Sequence, residues 1–170
     1  MSKKELKREV ISCLVQNQTG VLARIISVFG RRGFNIETMT ASPTNDPDIT
    51  RITIILTATE ETMEQVLAQV EKVETVKEVF PLGENTLYRE LLLLKAKANQ
   101  EERHKIKEIV DIYRGKIIDL SQDSVIVELT GSPNKIDAFI DVMNDSHTII
   151  EVCRTGATGI EATGRTLSAV

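Results

Sequence analysis

The second half of this 170-residue chain repeats the order of short segments laid down in the first half. That repeat restricts the fold more than any other feature of the sequence. Residues 9–16 form an apolar run of strand length, and Asn17-Gln18-Thr19-Gly20 makes a turn after it. Val21, Leu22, Ile25, Ile26 and Phe29 then recur at helical spacing, with Gly33 placed to end that helix. Residues 35–42 and 49–58 read as two strands, broken apart by Pro43-Thr44-Asn45-Asp46-Pro47. Met63, Val66, Leu67 and Val70 mark a second helix, and residues 76–82 a closing strand. The order is βαββαβ.

The same order then comes again. Residues 90–98 read as a strand, and Ile106, Ile109, Val110 and Tyr113 as a helix that Gly115 ends. Residues 116–120 and 124–130 are strands about the Gln122-Asp123 turn. Ile136, Phe139, Ile140 and Met143 follow on a helix opened by Ser132 as cap and Pro133 as first residue, and residues 148–153 close the copy. Arg32-Gly33 before Ile36-Glu37 is echoed by Arg114-Gly115 before Ile118-Asp119. Residues 75–79 are echoed by residues 148–152. The expected fold class is α+β, with two tandem ferredoxin-like βαββαβ domains at 7–82 and 88–156 and a loosely held tail at 157–170. Only 4% of residues are aromatic and none is Trp, so the cores must be aliphatic. Each copy is small and is expected to gain stability from its neighbour or from a dimer.

Composition excludes several classes. A net charge of -4 counts against a general nucleic-acid binder, the best local basic cluster being Lys3, Lys4, Lys7 and Arg8, read as a solvated segment. An RNA-binding sheet would present aromatics on its central strands, and residues 9–16 and 51–58 supply none. No apolar run reaches membrane-spanning length, and the charged N-terminus lacks the apolar stretch of a secretion signal. A cytoplasmic, reducing setting follows, with Cys13 and Cys153 as buried free thiols. His104 and His147 have no nucleophile signature near them, Asp46 and Asp48 lack the spacing of a known cation loop, and no nucleotide-binding glycine loop occurs. No catalytic residue, metal or cofactor is expected in this chain.

Only the first copy carries Asn17-x-x-Gly20 between its first strand and helix; the second has Asn99-Gln100-Glu101-Glu102-Arg103 there. A glycine lets the backbone turn tightly and lets a ligand approach the main chain. The helix beyond presents unpaired N–H groups and a positive dipole end, which suit a small carboxylate. Asn17 offers an amide donor and an acceptor. On spacing alone the motif serves equally as an ordinary capped turn. Asn35 begins a strand expected at a sheet edge, either as a plain polar start or as a group reaching a partner chain's ligand.

Residues 16–24 and 31–37 resemble the first loop, helix and following strand of the small subunits of acetolactate synthase, a family built on the ACT domain. Residues 41–47, 50–54, 113–119, 135–139 and 150–156 resemble it too. The resemblance implies a homodimer joined through ACT domains, with valine bound at the dimer interface by Asn17, Gly20 and Asn35. Val21, Leu22 and Ile36 are expected beside them, with Leu14 and Ile36 against the ligand's side chain. It further implies a large catalytic subunit that carries thiamine diphosphate, Mg and FAD and is activated, and made sensitive to valine feedback, by the small one. The alternative is a free-standing ACT-type sensor acting on a different partner.

Overall fold

The computed structural model describes residues 5–32 and 34–162. Its first half runs β1 (Lys7–Gln16), α1 (Val21–Arg32), β2 (Ile36–Pro43), β3 (Ile49–Ala58), α2 (Glu60–Val70) and β4 (Val76–Pro81). These strands form an antiparallel sheet in the order β2-β3-β1-β4. The second half runs β5 (Thr86–Lys97), α3 (Glu102–Ile112), β6 (Lys116–Leu120), β7 (Ser124–Gly131), α4 (Pro133–Ser146) and β8 (Ile149–Arg154), then β9 (Thr158–Glu161). Its sheet has the order β6-β7-β5-β8, with β9 paired to β5. The expected α+β class and the doubled βαββαβ order both hold.

Each core follows from the two periodicities. Alternate residues Ile11, Cys13 and Val15 of β1 and Ile52, Ile54 and Leu56 of β3 meet Val21, Ile25, Val28 and Phe29 from one stripe of α1. In the second unit Leu92, Leu94, Val125, Val127 and Leu129 meet Ile106, Val110, Ile136, Phe139 and Met143. Phe139 and Tyr113 meet edge to face, with ring centroids 5.3 Å apart. The Ser132 hydroxyl accepts from Lys135 N at 3.4 Å, so Ser132 and Pro133 open α4 as the sequence implied.

Several expectations change. Gly33 lies outside the described residues. Phe34 N donates to Phe29 O at 3.1 Å, the closure that Gly115 N makes with Val110 O at 2.8 Å. In the second copy the left-handed residue is therefore Arg114 (φ 55), not Gly115. Gly115 is needed for closeness instead: an added Cβ would lie 3.1 Å from Glu128 O and 3.2 Å from Val110 Cγ1. A bulge at Glu37 in β2 matches one at Ile118 in β6. The two copies thus superpose one residue away from the spacing of their Arg-Gly pairs. The echo of residues 75–79 in 148–152 holds to the residue, since Gln16 N reaches Thr75 O and Lys97 N reaches Thr148 O.

The tail also differs from expectation. Ala157 is fully buried, β9 forms, and Arg51 Nη1 donates to Gly159 O at 3.4 Å. The first compact unit runs to Leu87 and takes in the chain again from Gly159; the second is Tyr88–Thr158. Residues 163–170 of that tail lie outside the described residues, as do Lys3 and Lys4. Lys7 and Arg8 belong to β1 and face Glu5 at 3.9 Å and Glu37 at 3.0 Å, so their charge is offset. Cys13 is buried as expected, but Cys153 is exposed, because β8 is an edge strand open on both faces. Among the described residues no helix is long and apolar enough to cross a membrane.

Candidate functional site

Where β1 hands over to α1, Gly20 takes φ 82, the left-handed region that glycine enters without strain. Nothing lies within 4 Å of the place a Cβ would occupy, so the residue type is set by conformation and the space beyond is open. That space is a hollow of about 490 Å³. Asn17, Gly20, Val21 and Leu22 line it from the loop and helix, and Ala41 and Pro43 from the end of β2.

The donors of α1 point into this mouth. Val21 N reaches Gln18 O at 3.3 Å and Arg24 N reaches Gly20 O at 3.1 Å. Among the described residues no backbone acceptor takes the N–H of Leu22 or Ala23. The first turn has no acidic side chain, so the positive end of the helix dipole is uncompensated. Asn17 is held twice by the β2–β3 loop: its N donates to Asp48 O at 2.7 Å and its Nδ2 to Pro47 O at 2.9 Å. The amide orientation is thereby set, and Oδ1 is the atom left to offer.

The second copy shows the same mouth closed. Asn99 Oδ1 accepts from both Glu101 N and Glu102 N at 2.9 Å, and Glu102 Oε2 accepts from Asn99 N at 2.8 Å, a reciprocal cap. Arg103 Nη2 lies across the opening and donates to Ser121 O and Gln122 O, both at 2.7 Å. The Glu102 carboxylate is folded back onto its own loop.

Of the predicted residues, Asn17, Gly20, Val21 and Leu22 share one hollow. Asn35 and Ile36 do not. They sit at the far end of β2, where Ile36 pairs with Leu56 while Pro43 pairs with Thr50. At about 3.3 Å per residue that is roughly 20 Å away along the strand. Asn35 is exposed, and Ile36 packs on the first core. Leu14 is buried between Arg51 and Glu78 on the sheet face away from the helices and is not a wall of the hollow. Ala41, Pro43 and Thr50 line the hollow without having been singled out, because only strand pairing brings them to it. A wider hollow of about 730 Å³, flanked by Glu5, Glu9, Glu60, Glu61 and Glu64, has the wrong sign for a carboxylate.

The other candidates stay apart. His147 Nδ1 lies 2.7 Å from Ser146 Oγ, and burial lowers its pKa; His104 is on the exposed side of α3. Asp46 Oδ1 accepts from Asp48 N at 2.9 Å within the loop itself. Among the described residues no group of three or more His, Cys, Asp or Glu is placed to hold a metal ion.

Fold and site together define the class: an ACT domain, here followed by a second βαββαβ domain in one α+β chain. Residues 11–78 match the family model described as the small subunit-like ACT domain of acetohydroxyacid synthase, and residues 89–163 the one described as the small subunit of acetolactate synthase. The chain belongs to the acetolactate synthase small-subunit family. A probable acetolactate synthase small subunit of Archaeoglobus fulgidus is 43% identical over 150 residues, covering 88% of this chain and 93% of that one. The small subunit of isozyme 3 from Escherichia coli K12 is 38% identical over 154 residues, 90% and 94% of the two chains. The crystal structure of the acetolactate synthase small subunit from Thermotoga maritima superposes with a TM-score of 0.83 at 34% identity, covering 94% of this chain and 99% of that one.

Proposed function

We propose that the chain is the regulatory subunit of an acetolactate synthase, which binds valine at the mouth of α1, raises the activity of the large catalytic subunit and makes that activity fall as valine accumulates. Supporting the effector reading above all is the open hollow at Gly20, with unpartnered helix N–H groups on one side and apolar walls on the other. The carboxylate would meet the N–H groups of Leu22 and Ala23 at the positive end of α1. Asn17, with Nδ2 committed to Pro47, would present Oδ1 to the ammonium. The isopropyl group would lie against Val21, Ala41 and Pro43. One methylene in such a pocket changes affinity by only ~1–3 kcal/mol, so leucine and isoleucine should bind more weakly and still bind.

The role of Asn35 requires a second copy. β2 is the outer strand of its sheet. Antiparallel pairing of β2 with β2 of another chain reverses the strand, so the Asn35 end of one faces the Pro43 end of the other. Asn35 and Ile36 of the second copy would then complete the hollow. Valine at such a seam changes catalysis only if it binds unequally to two placements of the protomers that fit the large subunit differently. On this reading the thiamine diphosphate, Mg and FAD chemistry belongs to the large subunit, and the residues here bind and position.

Two measurements test the proposal. Calorimetric titration with valine should show binding to the wild type and none to Gly20→Asp, whose carboxylate would repel the ligand's own. Unchanged binding by Gly20→Asp overturns this placement. Reconstitution with the large subunit should raise its turnover, and added valine should lower it. A chain that binds valine yet leaves that turnover untouched is a sensor for a different partner.

A further inference from the structure

We propose that Asp46 is a positioning residue for the effector site, holding Asn17 in place through the loop between β2 and β3. This role rests on the valine reading above. Both tethers of Asn17 end on consecutive carbonyls of that loop, Pro47 O at 2.9 Å and Asp48 O at 2.7 Å. Pro47 and Asp48 are exposed, so burial does not fix them. Pro47 has no N–H to anchor it. Asp48 N donates to Asp46 Oδ1 at 2.9 Å, and a carboxylate acceptor makes such a bond stronger than a neutral one. Asp46 is braced in turn. Its N donates to Thr44 Oγ1 at 3.1 Å, and its O accepts from Thr44 Oγ1 at 3.0 Å and from Ile49 N at 3.1 Å. The same loop joins Pro43 to Thr50, and both of these line the hollow.

The second copy separates what the fold needs from what the site adds. Gln16 pairs with Ile49 as Lys97 pairs with Ser124, so Asn17 and Ala98 hold the same place. Ala98 N donates to Asp123 O at 2.8 Å, the counterpart of the bond from Asn17 N to Asp48 O. That backbone bond is common to both copies and belongs to the fold. The side-chain tether is not common, since alanine has no amide. The hairpin connections differ to match. Thr44 N closes on Ile49 O across the four residues 45–48, whereas Ser121 N closes on Ser124 O across the two residues 122–123. The longer connection supplies Pro47 O to the Asn17 amide and Asp46 Oδ1 to Asp48 N. With Nδ2 held, the amide keeps Oδ1 free as an acceptor for an ammonium. Released from Pro47, the amide can turn over and present its NH2 group, which has no acceptor to offer a cation.

The test titrates the full chain by calorimetry with valine and with 3-methylbutanoate, which is valine without its ammonium group. Asp46→Ala should weaken valine about tenfold, the scale of one hydrogen bond to a charged group, and leave 3-methylbutanoate binding unchanged. Asp46→Asn keeps an Oδ1 acceptor for Asp48 N and should restore the preference for valine. In the ligand-free protein, proton exchange at Asn17 Nδ2 should quicken in Asp46→Ala and stay as in the wild type in Asp46→Asn. Equal weakening of both ligands would mean that the loop merely supports the fold, and overturns the proposal. So would an Asp46→Asn chain as poor as Asp46→Ala, or Asn17 exchange that ignores both substitutions. A wild-type chain that binds no valine sinks the effector reading alone, and the exchange rates then decide by themselves whether Asp46 holds Asn17.

Discussion

Gly20 shows how much one backbone angle can carry. Its φ of 82 would cost another residue about 1–2 kcal/mol, while the space beside it would accept a methyl group. Gly20→Ala should therefore lower stability by about 1 kcal/mol in chemical denaturation and weaken valine binding by less than about tenfold, whereas Gly20→Asp removes it. The spacing Asn17-x-x-Gly20 was legible in the sequence. That Asn17 is tied to Pro47, and so offers only one end of its amide, was not, because its partner is thirty residues away. The cysteines separate in the same way. Cys13 is buried, which pushes its pKa from 9.0 to about 12, while Cys153 is exposed. One thiol per chain should react with a disulfide reagent at pH 8 in the native state, and both after denaturation. An unfolded Cys13 loses its proton above 9.0 and the native one holds it to about 12, so the native state binds more protons across that window. Stability should fall there as pH rises, by at most ~1.4 kcal/mol per pH unit, with no contribution below 9.0. Denaturation at pH 8 and pH 10 should show a steeper loss in the wild type than in Cys13→Ala.

At the scale of elements, amphipathic periodicity placed all four helices and eight of the nine strands found among the described residues. β9 escaped because four residues are too few to show a period, and its partner is fixed by tertiary pairing. What ties β8 into its sheet escaped too. Arg154 Nε and Nη2 grip both oxygens of Glu90 at 2.7 and 2.9 Å, and Nη1 reaches Asp137 Oδ1 at 2.7 Å. The Glu90 side chain is 1% exposed and the Arg154 side chain 27%. Arg154→Met would leave the Glu90 carboxylate buried and uncompensated, and should cost about 3–5 kcal/mol in urea unfolding. Adding Glu90→Gln should return a large part of that loss, because a neutral amide tolerates burial better than a charge.

For the whole molecule, the two βαββαβ units have separate cores and unequal helix mouths, one open at Gly20 and one sealed by Asn99, Glu102 and Arg103. Valine should therefore protect one unit and spare the other. Hydrogen exchange should slow in peptides around residues 14–26 and 41–50 at saturating valine, with about 2.7 kcal/mol of added stability at a hundred times Kd. Peptides around residues 98–104 and 120–126 should not change. Equal protection of both mouths would mean that the seal on the second is not the barrier its hydrogen bonds imply. The sequence by itself determined the repeat, the fold class and the residues of the Gly20 turn, because local periodicity and a glycine's conformational freedom are properties of neighbouring residues. Tertiary structure alone decided that β2 brings Ala41 and Pro43 to that turn, that Asn35 lies a strand's length away, and that Arg103 closes the second mouth. Those facts depend on pairing register and long-range hydrogen bonds, which join residues whose distance along the chain says nothing of their distance in space.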